Sequence, residues 1–144
     1  MKAYILLAIG TFLSALFFAT KWKADTEKAE IEFTIKGPFG TVDGSFSGLK
    51  ADIQFSADDL AGSFFAASID ATTVSTGIGL RNRDLRKEEI WFNTDKYPRI
   101  SFRSAKIEKK GNEYVATGEL TMKAVTKAVE IPFTFNEKDN AGTF

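Results

Sequence analysis

The chain has 144 residues, enough for one domain and one core, and carries 19 basic against 19 acidic residues with no histidine and no cysteine. Balanced charge leaves no basic footprint for nucleic acid. The missing side chains remove the imidazole base, the usual nitrogen ligand of zinc, the thiolate nucleophile, disulfides and iron–sulfur ligands.

Met1 and Lys2 precede an apolar run from Ala3 to Ala19, broken only by Gly10, Thr11 and Ser14. A positive start followed by a hydrophobic stretch is the layout of a secretory signal. Cleavage after Ala19 would leave Phe17 at the −3 position, and cleavage after Ala24 would leave Trp22 there, whereas small residues are preferred. An uncleaved anchor is the alternative, but the run is slightly short of the ~20 residues a span needs, so residues 1–19 are expected to be a signal. No cysteine follows it, which rules out lipid modification there. Without Lys2 the balance becomes 18 basic against 19 acidic, a net charge of −1. A periplasmic or secreted location is expected, and a cysteine-free chain suits an oxidising compartment.

Residues 20–144 form the domain. A long first strand is expected from Trp22 to Lys36, where Ile31, Phe33 and Ile35 alternate with Glu32, Thr34 and Lys36. Gly37-Pro38-Phe39-Gly40 is a turn. A second strand runs from Thr41 to about Phe55, but its apolar parity moves from Val42, Gly44 and Phe46 to Leu49, Ala51, Ile53 and Phe55. A period of two cannot change phase without an extra residue, so a bulge or bend is predicted at Ser47-Gly48. Ser56 to Asp59 is a polar connection. A third strand covers Gly62 to Thr72, with Phe65, Ala67 and Ile69 on one side.

The alternation then stops. Leu80 to Phe92 reads as a helical insertion with Leu80, Leu85 and Ile90 or Trp91 on the buried side. Pro98 closes it. Three more strands follow: Arg99 to Glu108, Glu113 to Lys123 and Lys127 to Asn136, with a tight turn at Lys110-Gly111-Asn112. Residues 137–140 read as a loop, and Ala141 to Phe144 as the start of another strand. Six strands with one greasy face each must curl to hide it, but about eight close a barrel around a ligand, so a domain incomplete at its C-terminus is expected. The fold class is all-β, an antiparallel barrel with one helical insertion at about residues 79–92.

Three groups could carry chemistry. The inward phenylalanines and isoleucines are either packed core or cavity wall. Arg81, Arg83 and Arg86 could clamp an oxygen-rich head group, but Arg83 with Lys87 and Asp84 with Glu88 sit four apart, as on a solvated helix face, and that reading is favoured for at least two of the arginines. Asp58-Asp59 and Glu88-Glu89 are adjacent and point apart, so they read as surface charge. Trp91-Phe92 plugs the insertion against the barrel or forms a lid. No phosphate loop or metal-ligand cluster is present, and no catalytic residue or cofactor is expected.

Ser75-Thr76-Gly77, then Arg81 to Arg86, then Lys96-Tyr97-Pro98-Arg99-Ile100-Ser101-Phe102-Arg103-Ser104, together resemble the YceI-like family of exported lipocalin-like barrels that bind polyisoprenoids. Gly40 to Phe46 and Gly118 to Lys127 resemble further family segments. The chain departs from the pattern at Asp84, where many members carry His, at Asn82, where many carry Asp, and at Ala124 and Ala128, which replace a usual Gly and a frequent Pro. The resemblance implies a lipocalin-like cavity whose wall would be Phe33, Ile35, Phe46, Phe55, Phe65, Ile69, Phe92, Ile100, Phe102, Leu120, Met122, Ile131 and Phe133, with Arg81 and Arg83 towards the head group. It implies a binding protein, not an enzyme, whose partner is an isoprenoid lipid or quinone. Transient membrane contact and a homodimer are further expectations. The rivals are an envelope interaction protein with a filled barrel and a carboxylate- or arginine-based enzyme.

Overall fold

The computed structural model describes residues 19–144 apart from 26, 28, 30 and 39. The leader expected over residues 1–19 therefore lies, except for Ala19, outside the described residues. Among those residues are ten strands: β1 (Thr20–Trp22), β2 (Ile31–Gly37), β3 (Gly40–Phe46), β4 (Lys50–Phe55), β5 (Phe64–Asp70), β6 (Arg99–Lys110), β7 (Glu113–Met122), β8 (Val125–Phe133), β9 (Asn136–Lys138) and β10 (Ala141–Thr143). One helix, α1 (Gly79–Lys87), and a 3-10 turn at Ala71–Thr73 complete the inventory. Every strand pairing is antiparallel.

Six strands form one sheet in the order β1-β4-β5-β6-β7-β8, while β2–β3 and β9–β10 are hairpins of their own. The large sheet is rolled. β4 and β8 are four strand spacings apart, roughly 19 Å on a flat sheet, yet the rings of Phe55 and Phe133 meet at 5.5 Å. Trp22, on edge strand β1, likewise reaches Phe135 just beyond β8 at 5.5 Å. One-sided apolar alternation makes this curl necessary, because only a rolled sheet hides its own greasy face. The result is the expected all-β, lipocalin-like barrel with one helical insertion.

Two expected strands divide. The stretch from Trp22 to Lys36 becomes β1 and β2, because Lys23 to Glu30 is charged and offers no apolar alternation. The predicted bend at Ser47-Gly48 is a full break: Gly48 adopts φ +72°, and the halves join different sheets, β3 to β2 and β4 to β1 and β5. The loop expected at residues 137–140 is the β9–β10 hairpin, turned by Asp139 and Asn140 at positive φ.

A second phase change, between Ser104 and Lys106, shifts the inward row of β6 from Ile100 and Phe102 to Ile107. Here Gly118 on β7 is pressed against the bulge: a Cβ on it would lie 2.6 Å from the Ser104 Cα. The Phe65 N–H, opposite the disrupted ladder, donates instead to the buried Ser104 Oγ at 2.8 Å.

The helix is shorter than expected. It ends at Glu88, whose extended backbone turns the chain back, and the Phe92 and Thr94 N–H groups cap the Leu85 and Arg86 carbonyls. Of the expected buried side only Leu85 is buried; Leu80, Ile90 and Trp91 are exposed. Leu80 lies about 140° round the helix from Leu85, and Ile90 and Trp91 follow the helix end, so no helical face carries them inward.

The β7–β8 hairpin turns on Lys123 (φ 51°) and Ala124 (φ 58°), with Met122 opposite Val125. A two-residue turn of this hand favours glycine, and an alanine Cβ there is strained. Ala124→Gly is expected to raise unfolding free energy by about 1 kcal/mol, measured by urea titration at unchanged slope.

Candidate functional site

The inward side chains sort into two packed clusters with a hollow between them. The first cluster is Phe46, Ile69, Ala71, Val74 and Leu85, joined by Phe33, Ile35, Leu49, Phe92 and Ile100. It sits under α1, and Phe33, Phe46 and Phe92 meet one another at 5.0–5.5 Å. The second is Phe55, Ile107, Tyr114 and Ala116, joined by Trp22, Ile53, Leu60, Phe65, Phe102, Phe133 and Phe135. Its centre is Phe55, fully buried and in ring contact with Phe65, Tyr114, Phe133, Phe135 and Phe144.

Between them lies a cavity of about 380 Å³, partly open to solvent. β4 and the segment before it supply Leu49, Ala51 and Ile53, and β5 supplies Phe65, Ala67 and Ile69. β6 supplies Ile100 and Phe102, β7 Leu120, β8 Ile131 and Phe133; Ile31 and Phe144 complete the apolar lining. The wall is continuous because register sets Ile53 beside Phe65, Ala67 beside Phe102, Ile69 beside Ile100 and Phe102 beside Leu120. No ionisable side chain lines it; its only polar residues are Ser68 and Ser101. The volume lies within the range of ligand-holding pockets, and the lining can act on a ligand only through burial and shape.

Seven of the expected wall residues are on this wall: Phe65, Ile69, Ile100, Phe102, Leu120, Ile131 and Phe133. Six hydrophobic ones are not. Phe33, Ile35, Phe46 and Phe92 belong to the first cluster and Phe55 to the second, because they lie where the curled sheet and the insertion close on themselves. Met122 follows Leu120 on the same side but reaches past the strand end and is exposed. Arg81 and Arg83 are also off the wall. Arg83 faces solvent and pairs with its neighbour Asp84 at 3.1 Å, while Arg86 donates to the Val74 carbonyl at 3.4 Å. Ile31, Leu49, Ala51, Ile53, Ala67 and Phe144 are wall residues outside the expected set; Leu49, Ala51, Ile53 and Ala67 carried the signal, the same parity as Phe55, Phe65 and Ile69.

Of the carboxylates considered, Asp59 accepts the Gly62 N–H at 2.9 Å, and Glu88 and Glu89 are exposed. The carboxylate with a clear structural task is Asp70, which accepts from the Thr72 hydroxyl at 2.6 Å and the Thr72 N–H at 3.0 Å, starting the 3-10 turn beneath the first cluster. Those two hydrogen bonds, the hydroxyl's first, hold its carboxyl below the ordinary 3.8. A carboxyl acid lowered by folding stabilises above its unfolded pKa and loses that contribution as pH falls through the folded one. Asp70→Ala is therefore expected to cost about 1 kcal/mol at pH 7, with the difference from the parent shrinking below pH 3.8 in denaturant titrations.

A model of the YceI-like domain matches residues 22–144. The chain belongs to this family. Among its YceI-like relatives, Protein YceI of Shigella flexneri is 31% identical over 129 residues, covering 84% of this chain and 67% of that protein. The UPF0312 protein plu2095 of Photorhabdus laumondii is 36% identical over 93 residues, 65% of this chain and 44% of the relative. The UPF0312 protein ECA1782 of Pectobacterium atrosepticum is 31% identical over 119 residues, covering 82% and 62%. This chain thus spans about half to two thirds of the length of these relatives. Among solved structures, BcnA of Burkholderia cenocepacia superposes with a TM-score of 0.66 at 26% identity, covering 74% of this chain and 67% of that one. The Campylobacter jejuni YCEI protein shares the fold at a TM-score of 0.59 and 24% identity, covering 82% and 70%. The YceI-like match takes in every strand from β2 onward and the whole cavity wall.

Proposed function

We propose that this chain is an exported, periplasmic or secreted binding protein that holds the tail of a long-chain isoprenoid lipid, of quinone or polyprenyl type, in the cavity between the two clusters. The observation that carries the reading is the wall itself: a continuous apolar surface from five strands with no ionisable side chain. Such a wall has no means of proton transfer or nucleophilic attack, which supports binding over catalysis. Burial of a hydrocarbon tail there supplies about 25 cal/mol per Å² of apolar area, less the cost of ordering it. Membership of the YceI-like family supports an isoprenoid over a straight acyl chain, and the leader pattern of Lys2 and Ala3 to Ala19 supports export.

The rival with a filled barrel draws on the rings of Phe33 and Phe46, which do meet across the interior, but Phe65, Phe102 and Phe133 border a void. The deciding measurement is extraction and mass spectrometry of protein purified from a membrane-containing host, followed by thermal unfolding with added ubiquinone or polyprenol. Co-purified isoprenoid and a melting point that climbs with ligand concentration are expected; at a hundred times Kd the gain is about 2.7 kcal/mol. Protein that carries no isoprenoid and gains no stability from either would overturn the reading.

A further inference from the structure

Met122 and Val125 face each other across the β7–β8 turn, and 40% and 55% of their surfaces are exposed. Between them Lys123 Nζ donates to the Glu89 carbonyl, which ties this turn to the segment carrying Ile90 and Trp91. Ile90 is 79% exposed and Trp91 39%. The next residue, Phe92, is locked into the first cluster against Phe33 and Phe46, so this apolar surface stands on a packed base. Leu120, two residues before Met122 on the same side of β7, is already cavity wall, so these four side chains stand at the rim of the hollow. Charge gathers around them. Residues 81–96 and 122–127 hold seven basic and four acidic side chains in a chain that is neutral overall. Two of the acids, Asp84 and Asp95, are paired with Arg83 and Lys87.

We propose that this rim is a docking surface for an anionic phospholipid bilayer, with Ile90, Trp91, Met122 and Val125 entering the interface and Lys96, Lys123 and Lys127 among the cations facing the head groups. Exposed aliphatic side chains beside a tryptophan, within a basic collar, are the composition that seats a protein at such an interface. The proposal rests on the lipid-carrier reading for its purpose, since docking there would set the cavity rim against the membrane that supplies the lipid, but not for its test.

The test uses the full chain with vesicles of brominated phosphatidylcholine, with and without 30% phosphatidylglycerol. Bromine quenches tryptophan fluorescence on contact, and the chain has two tryptophans, Trp22 and Trp91. The expected result is quenching that is greater with phosphatidylglycerol, weakened by salt and removed by Trp91→Phe. The triple variant Ile90→Ser, Val125→Ser, Lys127→Glu, all exposed positions, should reduce it at least about fivefold while leaving the melting point unchanged. Quenching that persists in Trp91→Phe, as attachment through the apolar N-terminal segment alone would give, would overturn the docking surface. So would quenching indifferent to phosphatidylglycerol, or a concentration-dependent dimer that the triple variant dissolves without altering quenching. Loss of extractable isoprenoid with Trp91 quenching intact would instead sink the carrier reading and leave the surface standing.

Discussion

Phe55→Ala is expected to lower unfolding free energy by about 3–5 kcal/mol, the range for removing a fully buried phenylalanine. Phe55 has no exposed surface, and its ring touches five others drawn from β5, β7, the end of β8 and the residues beyond it. Those contacts close the rolled sheet where β1 and β8 share no hydrogen bonds, so truncation removes packing that no backbone ladder replaces. The Trp22 Nε1–H also donates to the Phe55 carbonyl at 3.0 Å, fastening the edge strand to the same point. Urea titration followed by near-ultraviolet circular dichroism checks this. A loss below about 1 kcal/mol would mean that Phe55 is not the closure of the barrel.

Ala67→Trp is expected to abolish lipid binding while the protein stays folded. Ala67 is the small residue in the middle of the wall, opposite Ala51 on β4 and Phe102 on β6. An indole there enters the hollow. If it displaces roughly 100 Å² of ligand contact, the loss is about 2.5 kcal/mol, nearly two decades in Kd. Ser68→Trp, one position along and directed to the other face, is the control and should bind as the parent does. Titration of a fluorescent isoprenoid analogue against both variants gives the answer. Equal affinity in Ala67→Trp and the parent would remove the cavity from the binding site, whatever else the protein binds.

The two substitutions divide along a line that periodicity cannot draw. Phe55 and Phe65 present the same pattern, an aromatic residue with partners two positions away, and both point inward. One is sealed among five rings, while the other borders a void as well as its ring neighbours. The difference arises because β4 ends at Phe55, where the rolled sheet brings β7, β8 and residue 144 together, whereas Phe65 also faces the wider middle of the sheet. Phe33, Phe46 and Phe92 were lost from the wall for a related reason: β2–β3 forms its own hairpin, and the insertion folds Phe92 back onto it. The bend at Ser47-Gly48 was legible because alternation changes phase there, but its consequence, two halves in separate sheets, was not. The bulge after Ser104 left the same signal in Phe102 and Ile107 and passed unread. Leu80 shows the limit of helical periodicity over a short insertion: nine helical residues give too few turns to tell a buried stripe from a chance leucine.

By itself the sequence determined an all-β domain of YceI-like kind, with one-sided strands, a helical insertion and no side chain suited to thiol or imidazole chemistry. These follow from local rules, because strand periodicity and residue chemistry are written residue by residue. The tertiary structure alone decided which inward rings meet and which face a hollow, and which apolar side chains remain outside at the rim. Those depend on distances between strands far apart in the chain, and such distances exist only once the sheet has rolled.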